Sequence, residues 1–230
     1  MTASQAVRAG LVLLIVMRMV QEMEKPELRK TGTTTVGLVT ATAAILGAER
    51  KATMGYLVES KDTQKILRLD EHVGMTIAGL AGDGQALERY IKAELKLYKL
   101  KEGRAIPLSA AAQLVSNILY GRRFAPYYVQ LVLAGFDTAP HVFSLDASGA
   151  QQEEKEFYSS GSGSPMAFGV LENDYKKGMS AEEGKRLVAR AILAATKRDI
   201  ASGGSGIDLV VIDKNGFRRV PNEEVEKLLK

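Results

Sequence analysis

The chain has no cysteine and no tryptophan among its 230 residues, and only two histidines, His72 and His141. Without cysteine there can be no disulfide framework, thiolate nucleophile or cysteine-ligated metal. Two histidines leave little material for a histidine-rich metal site, so neither a metal nor another cofactor is expected. Aromatic residues make up 6% of the chain, and no basic, aromatic-studded stripe of the kind that binds nucleic acid is present. Long apolar runs are also missing. The longest near the start, Leu11 to Met17, is closed by Arg18, far short of the ~20 residues that span a bilayer. That run follows Arg8 in the manner of a signal peptide, but no A-x-A cleavage pattern follows it. No membrane or nucleic-acid partner is expected.

The content that is present suits one domain: 46% of residues are hydrophobic, enough for a single well-buried core. The formal charge is +4. Arg8, Arg18, Lys25, Arg29 and Lys30 against Glu22, Glu24 and Glu27 put +2 of it before Thr33, leaving 26 basic and 24 acidic residues, again +2, for the rest. Mixed charge at that balance reads as a solvated surface. Gln21 to Lys30 is charged and carries Pro26, which predicts an accessible segment. Met17, Met19 and Met23 leave open a start within this region.

Past Gly32 the pattern is orderly. Two apolar-rich strands are predicted in "TTTVGLVTATAAILGAER", with Gly37 a bulge or close-approach point, and short strands in "ATMGYLVE", "KILRLD" and "VGMTIAGLAG". Leu87, Ile91, Leu95 and Tyr98 recur at helical spacing, and "PLSAAAQLVSNILYGRR" predicts a second helix from Pro107 to Gly121. "YYVQLVLAGFD" and "HVFSLDASG" read as adjacent strands. Two more helices follow, in "SGSGSPMAFGVLENDY" and in "SAEEGKRLVARAILAATKRD", the latter opened by a Ser180/Glu183 capping box. A hairpin turning at Asn215-Gly216 and a helix near a possible cap at Asn222 close the chain. Segregated runs of strands and helices favour an α+β fold.

With cysteine absent and no G-x-S-x-G elbow, a hydroxyl nucleophile needs another base. Neither histidine sits in a local signature that would make a Ser-His-Asp triad. An N-terminal threonine supplies its own base, because an α-amine titrates near neutrality. That route requires a cut immediately before the threonine, and Gly32 permits the twisted backbone for its hydroxyl to attack the preceding carbonyl.

The motifs "TGTTTVG", "GMTIAGLAGD", "YYVQLVLAGFDTAPHVFSLD", "GSGSPMAFGVLE" and "KRDIASGGSGIDLVVI", in this order and spacing, closely resemble the catalytic β-subunits of archaeal 20S proteasomes. These are N-terminal nucleophile hydrolases of the threonine peptidase family. The resemblance implies a four-layer αββα sandwich, two antiparallel sheets flanked by helices. It implies that residues 1–32 are a propeptide removed by autolysis and 33–230 the catalytic domain. Thr33 resembles the nucleophile, Lys65 the lysine beside its hydroxyl, and Glu49 the acid that balances the lysine. Gly79 resembles the oxyanion donor through its backbone N–H. Ser162, Asp199 and Ser202 match the polar group around the threonine amine. Ala52, Ile77 and Ala81 match the walls of the specificity pocket, whose apolar character suggests chymotrypsin-like cleavage after hydrophobic residues. Lys51 stands where the family usually carries arginine, which is not an equivalent donor. The implied partners are α-subunit heptameric rings, other β-subunits in a four-ring barrel, an ATP-dependent unfoldase and unfolded protein substrates. The implied location is cytoplasmic.

Taken without the family, each residue has a plainer reading. Three successive threonines suit the start of a strand. Glu49 and Lys65 read as solvated charges. Gly79 reads as a packing residue, Ser162 as part of a helix-entry loop, and Asp199 and Ser202 as a helix end. A non-catalytic structural β-subunit and a small-molecule amidase of the same superfamily are the alternative functions.

Overall fold

The structure, a computed structural model, describes residues 32–230. The signal-peptide reading, the alternative starts at Met17, Met19 and Met23, and all of the expected propeptide 1–32 except Gly32 lie outside the described residues. The first elements are β1 (Thr35–Val39) and β2 (Ala44–Glu49), an antiparallel hairpin in which Thr35 faces Ala48 and Val39 faces Ala44. Thr40 closes its turn: the hydroxyl donates to the Ala43 carbonyl at 2.8 Å and accepts from the Ala43 N–H at 3.0 Å. A small hairpin, β3 (Ala52–Met54) and β4 (Leu57–Ser60), and the pair β5 (Ile66–Asp70) and β6 (Val73–Gly79) follow.

Helices α1 (Ala81–Glu102) and α2 (Leu108–Gly121) precede β7 (Val129–Phe136), β8 (Pro140–Leu145), β9 (Gln151–Glu154) and β10 (Phe157–Ser160). Next come α3 (Ser164–Asp174), α4 (Ala181–Thr196), β11 (Ile207–Asp213), β12 (Gly216–Arg219) and α5 (Asn222–Leu228). One five-stranded sheet has the order β10-β1-β2-β11-β12 and the other β5-β6-β7-β8-β9, and every pairing is antiparallel.

Alternation along the strands sorts side chains into layers. On β7, Leu131 and Leu133 pack with Leu87, Ile91 and Leu95 of α1 and Val115 of α2. Val132 and Ala134, from the opposite face of β7, meet Ala44, Leu46 and Val210 of the other sheet. That sheet turns Val36, Leu38 and Ile45 to Leu187, Val188, Ala191 and Ile192 of α4. The result is the αββα sandwich, helices on both outer faces. Because both faces of β2 are covered, all six of its residues are buried.

The Ser180/Glu183 capping box is formed, with both reciprocal bonds present. Several readings shift. Asn222 does not cap α5: Pro221 holds that position, and Asn222 is the first helical residue, accepting from Arg50 Nη2 at 2.6 Å. The last hairpin turns at Lys214-Asn215, with Gly216 already paired to Asp213. Thr34 lies outside β1, because the Glu49 carboxylate takes its N–H. The β9 and β10 strands were not legible in "QQEEKEFYSS", whose half-exposed first strand carries no apolar residue.

Gly37 is a close-approach point rather than a bulge. A Cβ there would lie 2.6 Å from Val132 Cγ1 and 2.9 Å from Val142 Cγ1, across the interface between the sheets. Gly37→Ala should therefore force the sheets apart and cost about 1–3 kcal/mol. Gly169→Ala in α3, where a Cβ meets nothing within 4 Å, should be neutral or stabilising by up to about 1 kcal/mol. Thermal unfolding of the two variants beside the parent chain checks the contrast.

Candidate active site

Thr33 sits two residues before β1 and is buried. Its hydroxyl donates to the Gly32 carbonyl at 2.6 Å and accepts from Lys65 Nζ at 3.1 Å. Lys65, immediately before β5, is 7% exposed, and Glu49, the last residue of β2, is 0% exposed. These are not solvated charges. The Lys65 ammonium has three N–H groups and three acceptors: Thr33 Oγ1, Glu49 Oε1, and the Lys51 carbonyl at 2.6 Å. Burial pushes the Lys65 pKa down, against the opposing attraction of Glu49 and Asp199, while the neighbouring Lys51 cation pushes it down further.

Glu49 is held on all sides. Oε1 accepts from Lys65 Nζ and from the Thr34 N–H at 3.2 Å; Oε2 accepts from the Lys51 N–H at 2.7 Å and the Gly203 N–H at 2.9 Å. Only the Lys51 donor lies on the sequence flanking the carboxylate; Thr34 comes from just before β1, Lys65 from just before β5, and Gly203 from the loop between α4 and β11. A charge removed from water is tolerated only with such complete pairing.

A second group meets Thr33 on its backbone side. The Thr33 N–H donates to Ser162 Oγ at 3.2 Å, and Ser162 Oγ donates to Asp199 Oδ2 at 2.6 Å. Ser202 Oγ donates to the same oxygen at 2.5 Å and accepts from Thr34 Oγ1 at 2.6 Å. Ser162 lies in the turn from β10 to α3, while Asp199 and Ser202 belong to the α4–β11 loop. Lys51 secures this loop, its ammonium donating to the carbonyls of Ile200 at 2.6 Å and Ser202 at 3.4 Å. The lysine thus makes single-point contacts where an arginine fork would act.

Gly79 ends β6 with φ of +126°, and a Cβ there would fall 2.0 Å from the Tyr128 carbonyl oxygen, so both conformation and space require glycine. Ala52 follows Lys51 directly and is half-buried; Ile77 is half-buried and its N–H donates to the Lys65 carbonyl at 3.1 Å. Ala81 is exposed at the first residue of α1. Three contacts had no counterpart in the sequence reading: Thr34 to Ser202, Gly203 to Glu49, and the Gln130 side chain to the Gly161 N–H at 3.1 Å. All join segments distant in sequence, and no local pattern signals them. Among the described residues, no group of three or more His, Asp or Glu side chains is disposed to hold a metal ion, and no helix is long and apolar enough to cross a membrane.

Glu49→Gln should be strongly destabilising. Each carboxylate oxygen faces two donors, so the amide nitrogen of glutamine would face donors in either orientation and leave the lysine charge uncompensated. A loss of about 3–5 kcal/mol is expected, measured by chemical denaturation of the variant against the parent chain.

Residues 29–212 match the family described as Proteasome subunit. The chain is 48% identical over 199 residues to "Proteasome subunit beta" of Methanococcus aeolicus, covering 86% of this chain and 91% of the relative. It is 48% identical over 202 residues to the protein of the same description from Thermoplasma acidophilum, covering 87% and 95%. The corresponding figure for Picrophilus torridus is 46% over 205 residues, covering 89% and 97%. A match of this extent, over a sandwich whose element ends converge on a buried threonine, has one meaning: the chain belongs to the proteasome subunit family, as a β-type subunit of the archaeal kind.

Proposed function

We propose that this chain is the proteolytic β-subunit of a proteasome core particle, a threonine endopeptidase whose nucleophile is Thr33. The observation that carries the reading is the placement of Thr33 Oγ1, 2.6 Å from the carbonyl oxygen of Gly32 and 3.1 Å from an ammonium pinned by a buried carboxylate. The first of these contacts suits autolysis. Oγ1 adds to the Gly32 carbonyl carbon, the C–N bond to Thr33 breaks, and the resulting ester is hydrolysed by water. Residues 1–32 leave as a propeptide, and Thr33 gains a free α-amine.

In the mature subunit that amine occupies the place of the present Thr33 N–H, beside Ser162 Oγ. An α-amine ordinarily titrates near neutrality, which suits it as a base for the Thr33 hydroxyl. The hydroxyl adds to the scissile carbonyl of the substrate, and the proton passes to the amine and then to the leaving nitrogen. Ser162, Asp199 and Ser202 hold the amine and relay protons. The Gly79 N–H stabilises the oxyanion, a donor worth about 10²-fold to 10³-fold in rate. The Lys65 cation lowers the energy of the developing alkoxide, and Glu49 keeps it charged. Water releases the acyl group in a second step.

The uncharged side chains of Ala52, Ile77 and Ala81, the first two half-buried and the third exposed, favour apolar substrate residues, hence chymotrypsin-like cleavage. Partners of this reading are α-subunits and further β-subunits in stacked heptameric rings, with an ATP-dependent unfoldase delivering unfolded proteins in the cytoplasm. Enclosure fits the chemistry, since a broad protease must be kept from folded bystanders.

Three outcomes test the proposal. Co-expressed with an α-subunit and weighed intact, the chain is expected to begin at Thr33; a particle retaining Gly32 contradicts an active enzyme. Thr33→Ala should assemble, keep its propeptide and hydrolyse no peptide substrate, so residual turnover in a pure preparation removes Thr33 from the role. Peptidase activity should fall at high pH as Lys65 loses its proton, with a midpoint below 10.5 because burial lowers that pKa. Stability runs the other way over the same window. There the unfolded chain binds the lysine proton more tightly than the folded one, so the free energy of unfolding rises with pH until 10.5.

A further inference from the structure

The residue that fixes Gly79 is not among those assigned so far. Gly79 is the last residue of β6, and its partner across the sheet is Val129 at the start of β7. One residue earlier in β7's lead-in, Tyr128 makes two backbone bonds. Its carbonyl accepts from the Leu80 N–H at 2.9 Å, and its N–H donates to Asp83 Oδ2 at 2.8 Å. The same carbonyl oxygen lies where a Cβ on Gly79 would collide, 2.0 Å from the ideal position. Tyr128 is thus held from both sides by the segment that carries Gly79, once through Leu80 and once through Asp83.

Asp83 lies in the first turn of α1, two residues past Ala81, and is half-buried. We infer that Asp83 is a positioning residue for the Gly79 amide. Its carboxylate closes a ring from Leu80, the residue after Gly79, through α1's first turn and back through Tyr128. The ring holds the Gly79–Leu80 peptide plane and so narrows the dihedral freedom of a glycine at φ +126°, whose own N–H lies on the preceding plane. Glycine at such a φ has wide conformational freedom, so an outside restraint is needed to aim its N–H. The inference rests on the proposed role of Gly79 as oxyanion donor. Asp83 itself touches no substrate; it acts through Tyr128.

The test uses assembled, processed particles of the parent chain, Asp83→Ala and Asp83→Asn. Asparagine keeps an oxygen acceptor for the Tyr128 N–H, and alanine removes it. Asp83→Ala is expected to lose roughly 10-fold to 10²-fold in kcat with KM changed less than about twofold, because a misaimed donor is felt mainly in the transition state. Its inhibition by a peptide aldehyde, whose hemiacetal places an oxyanion at the same donor, should weaken by a similar factor. Asp83→Asn should restore kcat to within about threefold of the parent, since amide and carboxylate oxygens accept alike. Should Asp83→Ala not assemble, Asp83→Glu keeps the charge near the helix start but displaces the acceptor by a methylene, and a fall in its kcat at unchanged KM is the expected result.

Unchanged kcat in an assembled alanine or glutamate variant overturns the inference, as does an equal loss in Asp83→Asn and Asp83→Ala. So does a loss confined to KM, which would place Asp83 behind the Ala81 pocket wall instead. Absence of any peptidase activity in the parent particle would instead refute the proposed function, and the two failures are distinguishable on that control.

Discussion

The buried ion pair between Glu49 and Lys65 is the interaction on which the rest of the site depends. Two opposite charges have been taken almost wholly out of water, an arrangement that survives only when every donor and acceptor is met. The cost of that burial explains the local architecture. Four donors converge on Glu49 from four separate segments, and three acceptors converge on Lys65. Since Thr33 Oγ1 is one of those acceptors, satisfying the lysine also fixes the hydroxyl.

The scaffold supplies these groups from the ends of its elements. Glu49 ends β2, Lys65 precedes β5, Gly79 ends β6, Ser162 follows β10, and Asp199 and Ser202 lie between α4 and β11. The strand interiors, by contrast, are given to packing, with the two sheets brought close at Gly37. Rigid, apolar strands therefore carry a polar cluster at one end of the sandwich. Buried hydroxyls continue this polar character between the sheets: Thr76 Oγ1 donates to Thr35 Oγ1 at 3.1 Å, and Thr35 and Ser160 are 2.7 Å apart.

Much of the fold could be read from the chain, because long periodic segments declare themselves. The apolar stripe of α4, its capping box and the continuous buried runs of β2 and β7 all follow from local pattern. The β9 and β10 strands did not, since Gln151 to Glu154 is a polar edge held by its partner strand rather than by burial. The catalytic candidates were legible only through family resemblance. Charge and propensity alone make Glu49 and Lys65 surface residues and Thr33 to Thr35 a strand. Their true environment is created by contacts across 15 to 168 positions of sequence, such as Thr34 with Glu49 and with Ser202. Asp83 was hidden for the same reason: an acidic residue in a first helical turn looks like a partner for the helix dipole, and its bond to the Tyr128 N–H is a tertiary fact.

The central claim is that one residue supplies both the nucleophile and its base. A peptide epoxyketone reads this directly, because it forms a ring only with a hydroxyl and a free α-amine on the same residue. Treated particles, digested and mapped by mass spectrometry, should carry the adduct on a peptide that begins at Thr33. An adduct on any other residue, or an unmodified peptide still joined to Gly32 in a particle that hydrolyses peptides, would contradict it.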